Sequence, residues 1–312
     1  MVFIIIGSVI LFLAILYIVF ICSAFEAAVG RADKFFDVFS DKDAEKLHLS
    51  KNIDDIRKGA GFIRKQPSEE IYISSTDGLR LHGKFIPAEN AKATVILFHG
   101  FRSFAEFEFS LIAEKYHKRG YNLLLATQRA HGKSEGKYIT FGLCERLDCA
   151  KWAEYIAERF PSLPIVLEGV SMGATTVLMA SGEKLPKNVR CVIADCGFTS
   201  PEEIFVYVAK HKLHLPPALF VPAFARLFKK KTGHAADEFS TIDALRETSL
   251  PVLFIHGEAD NFVPCEMSRK GAAACGSEHI LITVPGASHG KSYVVDKEKC
   301  DKALDEFLDK YV

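Results

Sequence analysis

Short apolar runs alternate with stretches of helical pattern over most of this chain. The runs are apolar at nearly every position, which is typical of strands buried on both faces of a parallel sheet. They occupy residues 93–98, 121–126, 164–167, 191–194, 252–255 and 280–284. The helical stretches between them are residues 105–119, 143–160, 172–183, 267–275 and 296–311. This alternation predicts an α/β fold with a mostly parallel central sheet and helices on both faces.

Two more strands are predicted ahead of the first run, at residues 71–73 and 79–86. The turn Thr76-Asp77-Gly78 joins them, and strands joined by so short a turn pair antiparallel. The sheet is therefore expected to begin with antiparallel strands. A domain at 69–312, roughly 240 residues, is within the usual size of a single α/β unit.

The N-terminal 25 residues carry no charged side chain. Residues 2–22, VFIIIGSVILFLAILYIVFIC, form a run of about 20 apolar residues, which as a helix spans a hydrocarbon core of about 30 Å. We expect residues 1–25 to be a single-pass anchor in the cell membrane. A cleaved signal peptide is the alternative, because Cys22-Ser23-Ala24 offers small residues for cleavage. Signal peptides usually have a shorter apolar region behind a positive segment.

Residues 26–68 are rich in charges of both signs, and we expect them to form a juxtamembrane helical linker. The first charges after the apolar run are Glu26, Arg31, Asp33 and Lys34. The positive-inside rule favours the cytoplasm for this side of the membrane. The eight cysteines, which we expect to be mostly buried free thiols, also favour the cytoplasm. Disulfides would be possible on the other side, so the side of the catalytic domain stays open.

Composition argues against two classes of function. The chain has 39 basic and 39 acidic residues and no basic stripe of the kind that binds nucleic acid. None of its cysteines forms a C-x-x-C pair, so a zinc site is not expected. No metal or other cofactor is predicted.

The most specific motif is Gly169-Val170-Ser171-Met172-Gly173, which lies between a predicted strand and a predicted helix. The glycines leave room for a sharp turn. The serine then stands at the helix N-terminus, where the free N–H groups favour developing negative charge. Strand, motif and helix together indicate a nucleophile elbow. Ser171 is therefore the predicted nucleophile.

A serine hydroxyl needs a base, and a nucleophile elbow is followed along the chain by an acid and then a histidine. His289 is the predicted base, because it lies in the glycine-bounded loop 285–290 directly after the last strand. Asp260 is the predicted acid, because it follows the preceding strand, 252–255. Glu258 and Asp195 are the alternative acids. The backbone amides of Phe101 and Met172 are predicted to form the oxyanion hole.

Residues 200–250 separate two strands by about 50 residues, far more than a normal crossover. This segment includes the apolar stretch HKLHLPPALFVPAFARLFKKK. An insertion there would lie over the carboxyl ends of the strands, where ligands bind. We expect a helical lid that places Leu219, Phe220 and Phe224 in a substrate pocket. Ordinary packing of helices on the sheet is the alternative.

Several stretches together carry a resemblance: DGLRLHGKFIP, VILFHGF, QRAHGKSEGKYITFG, LEGVSMGA, ADCGFTS, LFIHGEADNFVP and PGASHG. With them the chain resembles prolyl-oligopeptidase-like α/β-hydrolases, close to the membrane-anchored or "extracellular" serine hydrolases of Gram-positive bacteria. The resemblance covers nearly all of residues 70–311. It implies the α/β-hydrolase fold and hydrolysis of carboxylic esters or amides. Thr127 departs from the pattern, since many relatives have Asp there, and this puts a loop contact in doubt.

The predicted function is hydrolysis of small to moderately lipophilic carboxylic esters through an acyl-enzyme. A peptidase acting on short peptides is one alternative. Peptidase relatives often carry a propeller domain, for which this chain has no room, and that favours an esterase. A membrane-anchored binding protein without catalysis is another alternative. Such proteins usually lose a member of the triad, whereas Ser171, Asp260 and His289 are all present.

Overall fold

The computed structural model describes residues 1–33, 39 and 53–312. Its centre is an eight-stranded sheet in the order β1-β2-β4-β3-β5-β6-β7-β8. The antiparallel pairs are β1 with β2 and β2 with β4, and the remaining neighbours are parallel. The predicted fold class is confirmed. The strands are β1 (Glu69–Ser74), β2 (Arg80–Ile86), β3 (Ala93–Phe98), β4 (Tyr121–Ala126), β5 (Ile165–Val170), β6 (Val189–Asp195), β7 (Val252–Gly257) and β8 (His279–Val284).

Helices cover both faces of the sheet and its carboxyl edge. One face packs on α2, α3, α4 and α12, and the other on α5, α6, α9 and α10. A third apolar cluster joins α1, α7 and α8. The helices of the described residues are α1 (Val2–Val29), α2 (Ile53–Lys65), α3 (Ala105–Glu108), α4 (Ala113–Lys118), α5 (Glu145–Arg159), α6 (Met172–Ala180), α7 (Pro201–His211), α8 (Pro217–Thr232), α9 (Thr241–Glu247), α10 (Glu266–Ala274), α11 (Ser292–Val295) and α12 (Lys297–Tyr311).

The chain after α1 is attached directly to the domain. Helix α1 continues to Val29, past the boundary predicted at residue 25. Gly30 and Ala32 then form bridges to Tyr138 and His131. Between these two bridges, the Arg31 guanidinium donates hydrogen bonds to the carbonyls of residues 132, 134 and 136. Much of the predicted linker 26–68 lies outside the described residues, and its described remainder includes helix α2.

The predicted lid segment, 200–250, divides into two parts. Helices α7 and α8 lie in the cluster over the carboxyl edge of the sheet, together with α1. Helix α9 instead packs on the sheet, where Leu245 lies in the core with Phe254. Its capping box, formed by Ser240 and Asp243, fixes where it begins. The part of the segment that lies at the carboxyl edge of the sheet is therefore residues 201–232, and α9 packs on the sheet as a crossover helix.

One acidic side chain, Glu168, lies inside the sheet on β5. It is almost fully buried, and its Oε2 accepts a hydrogen bond from the hydroxyl of Tyr116. Burial raises the pKa of Glu168 from 4.5 to about 8 in spite of that hydrogen bond. At neutral pH the folded protein therefore holds a proton on Glu168 that the unfolded chain releases.

This difference predicts that stability falls as the pH rises from about 4.5 to about 8. In that window the folded state binds more protons than the unfolded state, so the free energy of unfolding decreases with pH, by up to about 1.4 kcal/mol per pH unit for one such proton. Glu168→Gln keeps an acceptor for Tyr116 and removes the titration. Denaturant unfolding across this window should show a shallower slope for Glu168→Gln than for wild type. Exposed Glu89→Gln is the control, and an equal slope in all three proteins would contradict the assignment.

Candidate active site

Ser171 lies at the sharp turn between β5 and α6. Its φ of 55° and ψ of −115° are unfavourable for a residue with a side chain and mark backbone strain at this position. A Cβ on Gly173 would lie 1.8 Å from the Phe98 carbonyl oxygen, and one on Gly169 would lie 2.1 Å from the Gly173 oxygen. Only glycine permits this approach of α6 to strands β3 and β5, and the approach holds Ser171 above the carboxyl edge of the sheet.

The three side chains predicted to form a triad lie together. Ser171 Oγ is 2.8 Å from His289 Nε2, and His289 Nδ1 is 2.6 Å from Asp260 Oδ2. His289 comes from the loop after β8 and Asp260 from the loop after β7. With Nδ1–H donating to Asp260, Nε2 is free to accept from the serine hydroxyl. The geometry is that of a nucleophile, a base and an orienting acid.

Asp260 is held as a carboxylate. Burial alone would raise its pKa, but hydrogen bonds from His256, His289 and the Phe262 amide hold it well below its usual value. Its Oδ1 accepts from the amides of Phe262 and Val263 at 2.8 and 2.9 Å. The His256 ring lies in the same turn and bonds Ser268 Oγ and the Val263 carbonyl. Asp260 can therefore stabilise a positive charge on His289.

The two alternative acids have other partners. Glu258 is substantially exposed and accepts a hydrogen bond from Thr283 Oγ1 at 2.6 Å. Asp195 is buried at the end of β6, and the Ser292 hydroxyl is 3.4 Å from its Oδ1. Burial raises the pKa of Asp195 to about 6. Asp260 is the acid that lies at hydrogen-bond distance from His289.

The loop predicted to supply one oxyanion amide lies against the serine. A Cβ on Gly100 would lie 3.2 Å from the Ser171 Cβ. The Gly100 amide donates a hydrogen bond to Glu108 Oε2 at 2.6 Å. This bond fixes the loop and uses the Gly100 amide, so the Phe101 amide is the next one that could serve the oxyanion hole. Met172 is the first residue of α6, where amides have no partner within the helix. No pattern in the sequence pointed to Glu108, which lies in a short helix far from any motif.

An apolar cavity of about 130 Å³ lies on one side of Ser171. Phe220 and Phe224 line it, as the sequence predicts, whereas Leu219 does not, because its side chain is 69% exposed on the outer face of α8. Ala24 and Ala28 of α1 also line it, and no sequence motif indicated them. Their spacing of four residues on a helix was the available signal. The full lining is Ala24, Ala28, Phe101, Phe141, Ser171, Phe198, Ile204, Phe205, Val208, Ala209, Leu213, Phe220, Phe224, Phe262 and Val263.

A second cavity, of about 320 Å³, meets the first at Ser171. We call it the acidic cavity, because Glu108, Glu168 and Asp195 line it together with His289. Burial raises the pKa of Glu108 to about 7, in line with Glu168 and Asp195 described above. At pH 7 these pKa values leave Glu168 mostly protonated and Glu108 about half protonated, whereas Asp195 is mostly ionised.

Cys196, Asp260 and His289 each offer an atom within 4.8 Å of the others, a separation that would suit a metal ion. Asp260 and His289 are already hydrogen-bonded to each other. Burial raises the pKa of the Cys196 thiol well above its usual value, which disfavours the thiolate that binds metals. The hydrogen bond between Asp260 and His289 and the protonated thiol of Cys196 therefore argue against a metal site formed by these three residues.

Thr127, the position at which the sequence departs from the resembling hydrolases, keeps a loop contact. Its Oγ1 is 2.9 Å from His82 Nδ1. Two residues later, Arg129 bonds Asp148 and Asp77 through its guanidinium. The loop is thus held by other groups, away from Ser171.

Comparison with known sequences gives relatives that match this chain over about three quarters of its length. The family model described as serine aminopeptidase, S33, matches residues 89–241. The uncharacterised protein YqkD of Bacillus subtilis is 26% identical over 238 residues, which cover 76% of this chain and 78% of that protein. The α/β hydrolase domain-containing protein WAV2 of Arabidopsis thaliana is 25% identical over 250 residues, 78% of this chain and 79% of that one.

Comparison with solved structures finds similar folds among esterases. The Pyrococcus furiosus esterase Pf2001 superimposes with a TM-score of 0.64 and is 26% identical, covering 79% of this chain and 91% of that one. Est1E of Butyrivibrio proteoclasticus, solved with ferulic acid, is 21% identical with a TM-score of 0.60 over 77% of this chain and 98% of its own, which shows the fold alone. The narrower likeness to prolyl-oligopeptidase-like hydrolases stays a prediction. Fold and relatives together show that this chain is a hydrolase of the α/β-hydrolase superfamily.

Proposed function

We propose that this hydrolase is a membrane-anchored serine esterase that cleaves carboxylic esters through an acyl-enzyme. The observation that carries the proposal is the hydrogen-bonded series from Ser171 Oγ through His289 to Asp260, at 2.8 and 2.6 Å. The series ends at the point where the apolar and acidic cavities meet. An ester bound with its carbonyl at Ser171 would have its acyl group on the apolar side and its alcohol on the acidic side.

In the proposed mechanism, Ser171 Oγ attacks the ester carbonyl while its proton moves to His289 Nε2. The amides of Phe101 and Met172 stabilise the oxyanion. His289 then protonates the leaving alkoxide, and the acyl group stays on Ser171. Water attacks the acyl-enzyme with His289 again as base, which releases the acid and restores the serine. Asp260 remains ionised throughout because its pKa is low.

A peptidase is the second candidate, because the matching family model is named for serine aminopeptidases. An enzyme that selects a free amino terminus needs an ionised carboxylate to pair with the ammonium group. Glu168 does not suit this role, because burial raises its pKa to about 8, and Glu108, with a pKa of about 7, is only about half ionised at pH 7. Asp195, with a pKa of about 6, is the most ionised of the three acids, and it lies beside the Ser292 hydroxyl. The esterase among the structural neighbours also favours ester hydrolysis.

A catalytically silent binding protein is the third candidate. The hydrogen bonds of the Ser171–His289–Asp260 series argue against it, because a silent relative has no need to hold the three groups in line. Turnover of any ester by the wild-type protein excludes this alternative.

We also propose that α1 stays on the mature protein as its anchor. In the described residues α1 is the one helix long and apolar enough to cross a membrane, a test that a signal sequence also passes. Its side chains are largely exposed from residue 2 to residue 20, whereas Ile21, Phe25 and Val29 are buried against the domain. Cleavage near Ala24 would remove Ile21 from that packing, so the contacts favour retention.

The nucleophile is tested by covalent labelling. A fluorophosphonate probe should modify wild-type protein and fail on Ser171→Ala, because only an activated serine reacts with it. Ser181→Ala is the matched control, since Ser181 is buried at the end of α6 and its hydroxyl bonds the Leu178 carbonyl. Labelling of Ser171→Ala at the wild-type rate would refute the assignment.

The acid is tested by amide substitution. Asp260→Asn should lower kcat by up to about 10⁴-fold, because an Asn amide donating to Nδ1 leaves the proton on Nε2 and removes the base. Glu258→Gln should cost far less, since Glu258 bonds Thr283. Steady-state kinetics on a chromogenic ester gives the comparison. If Asp195→Asn proved the more damaging change, the acid would lie after β6.

The anchor is tested by membrane extraction. The full-length protein should sediment with membranes and resist alkaline carbonate. Deletion of residues 2–16 should release it, because the remaining apolar stretch is too short to span a bilayer. The domain should stay folded in this variant, because residues 2–16 make none of the buried contacts of α1. N-terminal sequencing of the mature protein should find the chain uncleaved. A mature N-terminus near Phe25 would show a signal peptide instead.

A further inference from the structure

The last turns of α1 form a wall of the apolar cavity beside Ser171. Ala24 and Ala28 line the cavity, and Phe25, between them in sequence, is 1% exposed. The Phe25 and Phe224 rings are 6.0 Å apart, and one turn earlier Phe20 and Phe220 are 5.9 Å apart. The helix predicted only to tether the enzyme therefore also shapes its substrate site.

Small residues at the wall leave the cavity open. Ala24 and Ala28 are four residues apart, so both face the lid. Ala27 is exposed and does not line the cavity. A large side chain at residue 28 would enter the cavity, whereas the same side chain at residue 27 would not.

The cavity suits a purely apolar group. Of the side chains that line it, only the Ser171 hydroxyl is polar, and the others are aliphatic or aromatic. Leu213 lines the cavity and is nevertheless 49% exposed, so it lies at the mouth. An acyl chain entering beside Leu213 would pass between α7, α8 and α1 and reach the serine without meeting another polar side chain.

The position of the mouth follows from the length of α1. A helix needs about 20 residues to cross a hydrocarbon core of about 30 Å. The stretch from Val2 to Leu16 supplies about 15 residues, or roughly 22 Å at 1.5 Å per residue. The span is complete only if residues 17–22 also lie in the bilayer. The Tyr17 hydroxyl donates a hydrogen bond to the Leu219 carbonyl at 2.5 Å, so an α1 that spans the bilayer would hold the start of α8 at the edge of the hydrocarbon.

The charge of the lid fits this position. Residues 201–232 carry six Lys and Arg residues and two acidic ones, Glu202 and Glu203, both in the first turn of α7, in a chain whose net charge is zero. Lys210 and Lys212 lie at the turn that presents Leu213, and Leu219 follows at the start of α8, 69% exposed. Basic groups around exposed apolar side chains are suited to an anionic membrane surface.

We propose that the substrate is a long-chain carboxylic ester dissolved in the bilayer, and that the carbonyl end of its acyl chain occupies the apolar cavity while the rest of the chain extends into the membrane between α1 and the lid. The proposal rests on the esterase function above. The ester C–O bond breaks as the acyl group moves to Ser171 Oγ, and the alcohol leaves with the proton from His289. Water then releases the fatty acid and returns the proton to the serine.

The wall is tested with full-length protein in vesicles of phosphatidylcholine and phosphatidylglycerol. The probes are 4-methylumbelliferyl palmitate in the bilayer and 4-methylumbelliferyl acetate in the water. Ala28→Trp should lower the ratio of palmitate to acetate turnover at least 10-fold, and Ala28→Leu should lower it less. The matched control, Ala27→Trp, should keep the wild-type ratio. Equal ratios in Ala28→Trp and Ala27→Trp would overturn the proposal.

The source of the substrate is tested by surface dilution. With the amount of palmitate ester fixed, added carrier lipid should lower the rate in proportion to the ester's mole fraction in the membrane. A rate that follows only the bulk concentration would show that the ester is taken from water and would overturn entry from the bilayer. Ser171→Ala separates the two proposals. If Ser171→Ala still hydrolyses the acetate ester, the proposed esterase mechanism is refuted. If Ser171→Ala is inactive but Ala28→Trp keeps the wild-type ratio of palmitate to acetate turnover, only the proposed role of α1 in binding the acyl chain is refuted.

Discussion

The close approach of the start of α6 to the ends of strands β3 and β5, at Gly173 and Gly169, is the constraint on which the site depends. A Cβ on Gly173 would lie 1.8 Å from the Phe98 carbonyl oxygen, so the start of α6 can meet the end of β3 only without a side chain. That contact sets the turn that lifts Ser171 above the sheet and brings the Gly100 loop beside it. His289 and Asp260 need no such device, because the carboxyl ends of neighbouring parallel strands already place the loops after β7 and β8 together.

The sequence was informative wherever function depends on local pattern or on chain order. Apolar runs identify buried strands, and the glycines around Ser171 identify the turn, because each signal lies within about ten residues. Asp260 and His289 follow from their positions after the last two strands, and the structure places His289 at hydrogen-bond distance from both Ser171 and Asp260. Their catalytic roles remain predictions. The choice between Asp260 and Asp195 depended on loop geometry that no spacing encodes.

The features that the sequence did not indicate arise from contacts between distant elements. Apolar pattern alone could not show that Leu219 faces outward while Phe220 and Phe224 face the cavity, because which face of α8 is buried depends on where α1 lies. Ala24 and Ala28 read as part of a membrane segment until α8 is placed against them. Glu108, at the end of the short helix α3, supports the Gly100 loop by accepting a hydrogen bond from the Gly100 amide. Helix α9 belongs to the predicted lid by sequence interval but to the sheet by its Leu245 contacts.

The hydrogen bonds of Arg31 have a consequence for the reach of the enzyme. Its guanidinium bonds three carbonyls of the domain, and Arg102 bonds the Gly30 carbonyl from the opposite direction at 2.8 Å. A domain joined to its membrane anchor by a flexible linker can move over a distance that grows with the length of the linker. Here the junction is rigid, so the serine keeps one height and one tilt with respect to α1. In an anchored enzyme of this kind, an ester would have to come to that fixed height to be cleaved.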